Sequence, residues 1–144
     1  MSDPDPFKLD RFMDAQENVF DAVISQLKQG RKTSHWMWFI FPQFAGLGQS
    51  DTSKYFAIKS MEEAIQYLKH PILGPRLVKC TEIVLGLDGL SANDIFGSPD
   101  VYKLQSSMTL FAQVSDEGSI FTRVLDKYYD GKPDQATLRL LHNH

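Results

Sequence analysis

A chain of 144 residues has the length of one domain, and at that length roughly 70% of the unfolded surface can leave water. Hydrophobic residues make up 42% of it, including ten Phe, five Tyr and two Trp, which excludes an intrinsically disordered chain. Fifteen basic against eighteen acidic residues leave a net charge of −3, the wrong sign for a surface that must neutralise nucleic-acid phosphates.

Cys80 is the only cysteine, so an internal disulfide and a thiolate metal cluster are both excluded, and a reducing, cytoplasmic setting is expected. Residues 1–6 are acidic and broken by Pro4 and Pro6, the reverse of a signal peptide's basic start. The longest apolar run, Trp36 to Phe41, falls far short of the ~20 residues of a membrane helix, so no membrane partner is expected.

In chain order, residues 1–9 read as an extended lead-in, because each proline disfavours helix in the residue before it. Asp10 can cap a helix running to about Lys28, with Phe12, Val19, Phe20, Val23 and Leu27 near a 3.6 period and Gly30 as its stop. Thr33 or Ser34 can cap the segment His35–Phe41, which Pro42 ends. Both of its faces are apolar, so periodicity leaves helix and strand open. A loop follows through Gly46 and Gly48, then a short helical turn over Asp51–Tyr55. Ser60 and Glu63 have capping-box spacing ahead of a helix reaching Lys69. Pro75 sits near the start of a helix with the apolar stripe Leu77, Cys80, Val84 and Leu87. Ser91 and Ser98 read as N-caps, the second with Pro99 at the first helical position, opening a helix to about Gln113 with Leu104, Met108 and Phe111 on one side. Residues 119–129 form the next helix, and Asp134 caps the last. The expectation is an all-α, compact single-domain bundle of about six to eight helices, with residues 10–142 as the single helical domain.

No phosphate loop, dinucleotide fingerprint, nucleophile elbow or zinc-binding helix occurs, so neither a cofactor nor a metal is expected. The segment His35–Gln43 has the most unusual composition. Two Trp and two Phe beside a His and a Gln can wall a pocket for a planar ligand, or simply fill the core. On the helix after Pro99, Asp100, Lys103 and Ser107 share one face, where a lysine and a hydroxyl together can hold a phosphate or carboxylate. The ligand-binding candidates are therefore His35, Trp38, Gln43, Lys103 and Ser107. Arg76 and Glu63 are candidates for a solvated ion pair, Cys80 for a buried, unreactive thiol, and His142 with His144 is too little for a metal site.

The strings Ser34-His35-Trp36-Met37-Trp38-Phe39-Ile40-Phe41-Pro42-Gln43, His70-Pro71-Ile72-Leu73-Gly74-Pro75-Arg76-Leu77 and Lys103-Leu104-Gln105-Ser106-Ser107-Met108-Thr109-Leu110-Phe111 resemble the bacterial domain-of-unknown-function family 1810. The resemblance runs from about Phe7 to Leu141. It implies a compact all-α domain, puts Trp36–Phe41 in a helix, and brings no established activity. The calpastatin label that some members carry does not suit a globular chain. The order Pro71-x-x-Gly74-x-Arg76, an apolar helix, then a helix pair ending at Gly131-x-x-Asp134 is fainter, and is similar to the NAD- and ADP-ribose-associated (NADAR) family, whose members act on N-glycosidic bonds. No catalytic carboxylate of that family can be matched here. Three functions follow as expectations: a small-ligand binder, with an anionic ligand suited to Lys103; an ADP-ribose or nucleotide N-glycosidase or binder; and an interaction module without a pocket. Whether the chain is an enzyme, and its oligomeric state, stay open.

Overall fold

The computed structural model describes residues 4–143; Met1–Asp3 and His144, with the readings that fall on them, lie outside the described residues. Ten helices follow one another: α1 Asp10–Gln16, α2 Phe20–Lys28, α3 Met37–Ile40, α4 Asp51–Tyr55, α5 Met61–Lys69, α6 Leu73–Gly86, α7 Ala92–Phe96, α8 Asp100–Gln113, α9 Ile120–Tyr129 and α10 Gln135–His142. That is slightly more than the six to eight expected. The one strand-like pairing among the described residues is an isolated parallel bridge between Phe44 and Ile58.

One extra helix comes from a break. Where one helix was expected from Asp10 to Lys28, the backbone turns at Glu17–Val19, and the Val19 amide bonds back to the Gln16 carbonyl. Asn18 and Val19 are weak helix formers, and Gln16 has better partners elsewhere. Its side chain is buried and donates to the Phe39 carbonyl at 2.7 Å and the Tyr67 hydroxyl at 3.2 Å. The aromatic segment is helical for only one turn. Phe41 leaves the helical region (φ −121°, ψ 77°), as a residue ahead of proline is pushed to do. At its start, Gln26 accepts from the Thr33 amide and the Trp36 indole and donates to Ser34, so neither hydroxyl caps the helix. The lead-in, expected to be extended, turns over residues 5–8 through a Lys8 amide to Asp5 carbonyl bond of 3.1 Å. The Asp5 carboxylate then accepts from the Leu9 and Asp10 amides at the start of α1.

Asp10, expected as a cap, lies inside α1 behind Leu9, and α6 begins at Leu73, two residues before Pro75, but at three other starts the capping chemistry is as expected. Ser60 accepts from the Glu63 amide, Ser91 and Asp94 form a reciprocal capping box, and Asp134 accepts from the Thr137 amide. At Ser98 the start shifts by one residue: α8 begins at Asp100 with Pro99 as its N-cap, after a cis Ser98–Pro99 bond.

α8 is the centre of the bundle, packed on α7, α9 and α10, while α6 packs on α2, α5 and α9. Leu104 and every residue from Ser106 to Phe111 are buried, so the middle of α8 is enclosed on all sides rather than on one stripe, while Tyr102 near its start is exposed. Phe12, Tyr67, Phe111 and Phe121 stack as a run of edge-on and tilted rings through the core. Two ties fix the outer helices. Asp134 accepts from Ser106 on α8 while its amide donates to Thr109, which seats α10. Lys127 donates to the Leu85 and Leu87 carbonyls and Tyr128 to the Val84 carbonyl, so α9 caps the carboxyl end of α6.

Candidate functional site

The helix-loop stretch from α3 to α4 passes beneath the start of α8, and this brings two of the expected residues together. The Lys103 ammonium lies 4.0 Å from the centroid of the Trp38 ring, a close cation–π contact. Asp100, one turn earlier on α8, accepts from Lys103 at 3.1 Å and from Lys32 at 2.7 Å. Lys32 in turn lies 5.2 Å from the Trp36 ring. The Asp100 carboxyl is raised by partial burial, but the hydrogen bonds from Lys32 and Lys103 outweigh this and hold it below the ordinary carboxylate value.

The other three candidates fall elsewhere. His35 is exposed and precedes α3 instead of sharing a helical face with Trp38 and Phe39. Gln43 and Ser107 are buried, and each keeps an unpartnered polar atom, Nε2 and Oγ respectively. The neighbouring hydroxyls of α8 behave differently: Ser106 and Thr109 donate to the carbonyls of Tyr102 and Gln105. Glu63 does not pair with Arg76. It is buried against Arg11 at 2.6 Å, and Arg76 lies over the Phe20 ring with its guanidinium 3.3 Å from Gln16. Cys80 is buried on the α6 stripe, and burial pushes its thiol up to about 12, so it is protonated at neutral pH.

Trp38 also walls a recess of about 170 Å³. Phe44, Ala45 and Ala57 supply its other apolar walls, brought side by side by the bridge between Phe44 and Ile58. Gly46 and Gly48 let the loop come close. A β-carbon at Gly48 would stand 2.5 Å from the Ser53 side chain and 3.3 Å from the Trp38 ring. The polar edge is Ser53, Lys54 and Lys59, with no carboxylate in the lining. Neither lysine has an ion-pair partner among the described residues. The Trp38 indole N–H likewise has no acceptor there, whereas that of Trp36 is bonded to Gln26 at 2.8 Å. Of the five expected residues, the recess takes in Trp38 alone.

A larger recess of about 470 Å³ separates the lead-in from the end of α5. Two of its polar side chains are spent on the backbone, Asp5 at the start of α1 and His70 Nδ1 as acceptor for the Ile72 and Leu73 amides, while Asp10, Gln66 and Lys69 also line it. Among the described residues, no group of three or more His, Cys, Asp or Glu side chains is placed to hold a metal, and no helix is long and apolar enough to cross a membrane.

Among solved structures, the chain is similar to the conserved hypothetical protein Rv1873 from Mycobacterium tuberculosis, at 50% identity and a TM-score of 0.94, over 96% of this chain and 99% of that one. No curated protein matches it. None of these findings carries the fainter NADAR likeness. Residues 6–141 match the family described as "Protein of unknown function (DUF1810)", and the chain belongs to that family.

Proposed function

We propose that this protein binds a small anionic ligand in the recess beside Trp38. One observation carries the proposal: in a chain of net charge −3, this recess has at its edge two lysines without ion-pair partners among the described residues, and no carboxylate in its lining. Lys103, paired with Asp100, lies over the face of the same indole. A local excess of one sign beside low-dielectric walls concentrates ligands of the other sign. With no Asp or Glu in the lining, acid–base work on an N-glycosidic bond has no carboxylate to draw on, so binding is the activity proposed. A reducing, cytoplasmic setting suits the single buried thiol of Cys80.

The test is a thermal-shift and NMR screen with acetate, benzoate, inorganic phosphate, AMP and ADP-ribose. A ligand at 100 times its Kd raises stability by about 2.7 kcal/mol. At least one anion should raise the melting temperature and move the Trp38 indole resonance, with the Trp36 resonance as internal control. A Trp38 resonance unmoved by every anion in the panel would leave the recess without this function, and would favour an interaction module.

A further inference from the structure

The donors around the recess say which anion suits it. Anion sites for phosphate are built mainly from backbone N–H groups, in glycine-rich nests or at helix starts, with the charge spread over several donors. Here five of the nine lining amides are already committed. The Ala45 amide donates to the Ile58 carbonyl at 2.8 Å, Ser53 to the Ser50 hydroxyl at 3.1 Å, and Lys54 to the Ser50 carbonyl at 3.1 Å. The Ala57 amide donates to the Lys54 carbonyl at 3.4 Å and that of Lys59 to the Glu63 carboxylate at 3.0 Å. The Ser53 hydroxyl is spent as well, on the Ser50 carbonyl at 2.7 Å. Among the described residues, the lining donors left without a partner include the pair of flexible ammonium groups and the Gly46 and Gly48 amides. No arginine fork lines the recess to hold a phosphate in bidentate fashion.

Size points the same way. Drug-sized and nucleotide-sized ligands occupy pockets of roughly 300–1,000 Å³, whereas a cavity of ~150 Å³ lined by apolar side chains takes benzene. At about 170 Å³, with Trp38, Phe44, Ala45 and Ala57 as walls, the recess has room for one ring or one branched chain.

Resting on the anion-binding function above, we infer that the occupant is a small apolar monocarboxylate. Its hydrocarbon body fills the space beside Trp38, and its carboxylate sits at the mouth between Lys54 and Lys59. Its body is no larger than a single ring.

The experiment titrates the full chain with benzoate, benzyl alcohol, 2-naphthoate, inorganic phosphate and AMP, following the Trp38 indole N–H by NMR. Benzoate should move this resonance saturably. Benzyl alcohol, of the same size without the charge, should bind at least tenfold more weakly, and 2-naphthoate and phosphate should leave it in place. The double variant Lys54→Gln/Lys59→Gln should lose tenfold or more in benzoate affinity with its melting temperature unchanged, since both lysines are exposed. Phosphate or AMP acting more strongly than benzoate would overturn the carboxylate inference and leave the anion site standing. Equal binding of benzoate and benzyl alcohol, or of benzoate by parent and double variant, would remove the lysines from the site. A Trp38 resonance moved by no anion would end both this inference and the function it rests on.

Discussion

Two charge clusters in this molecule put the same pairing, a basic side chain on a carboxylate, to opposite ends. At the first, Arg11 and Glu63 meet at 2.6 Å with both side chains almost wholly buried. All five guanidinium N–H donors are used: Nε to the Tyr55 carbonyl, Nη1 to those of Phe7 and Lys8, and Nη2 to the Ala57 carbonyl and Glu63. Glu63 also holds the Lys59 amide. One arginine thus joins the lead-in, the end of α4 and the start of α5. At the second cluster, Asp100 is shared by Lys32 and Lys103, and these side chains are 9–21% exposed. An ammonium is a compact point charge on a flexible stem, and each of these rests on an indole face. Burial with a full donor complement makes a fastening. Partial exposure with flexible stems and donors to spare makes a looser tie.

Removing one partner is the severest test of this contrast. Arg11→Met leaves Glu63 buried without its charge partner and should cost about 3–5 kcal/mol, read from urea denaturation. That is comparable to the loss expected for Trp36→Ala or Phe111→Ala, both in the core. A loss below about 1 kcal/mol for Arg11→Met would place the pair in water instead.

Hydroxyls of α8 give the next contrast. Thr109 both donates to Gln105 and accepts from the Asp134 amide, so Thr109→Val should cost about 1–3 kcal/mol. Ser107 Oγ is buried with no partner, so Ser107→Ala should be neutral or stabilising by up to about 1 kcal/mol. A large loss on Ser107→Ala would show that the hydroxyl is satisfied after all.

At the second cluster the effects are smaller and depend on pH. The folded-state value of Asp100 lies below its ordinary value of 3.8, so its contribution is full above that value and fades as pH falls through the lower folded value. Asp100→Asn should therefore cost about 1 kcal/mol or less at pH 7, and the gap to the parent should close below about pH 4. A gap that widens on acidification would reverse the assignment. Smallest of all, Lys103→Met keeps an apolar contact with Trp38 and should shift stability by less than about 0.5 kcal/mol. It should nonetheless weaken any anion bound beside Trp38. Equal ligand shifts in variant and parent would detach Lys103 from the site.

Helix starts were legible because their signals are local. Ser60, Ser91 and Asp134 each sit three residues before the amide they accept from, and that spacing is visible in a string of letters. The break after Gln16 was not legible, because its cause lies at Phe39 and Tyr67, 23 and 51 residues away. The partner of Glu63 was missed for the same reason: Arg11 is 52 residues earlier, while Arg76 was merely nearer in sequence. Trp38 and Lys103 stood out by composition and by helical spacing, and they do meet. Lys54 and Lys59 carried no such mark. They border a recess only because Phe44 pairs with Ile58, a parallel contact that periodicity does not encode.

The cap that α9 places on α6 has a consequence for how the molecule opens. The Val84, Leu85 and Leu87 carbonyls are held by Lys127 and Tyr128. The end of α6 therefore cannot fray without breaking bonds made by α9, and α9 cannot lift away without uncovering those carbonyls. In amide hydrogen exchange the last turn of α6 and the last turn of α9 should behave as one cooperative unit, slow together and released together, although some forty residues separate them. The short α4, whose residues are mostly exposed, should exchange first. The wall of the recess at Ser53 and Lys54 would then be the part of the molecule that breathes, and a bound ligand would be seen as slowed exchange there.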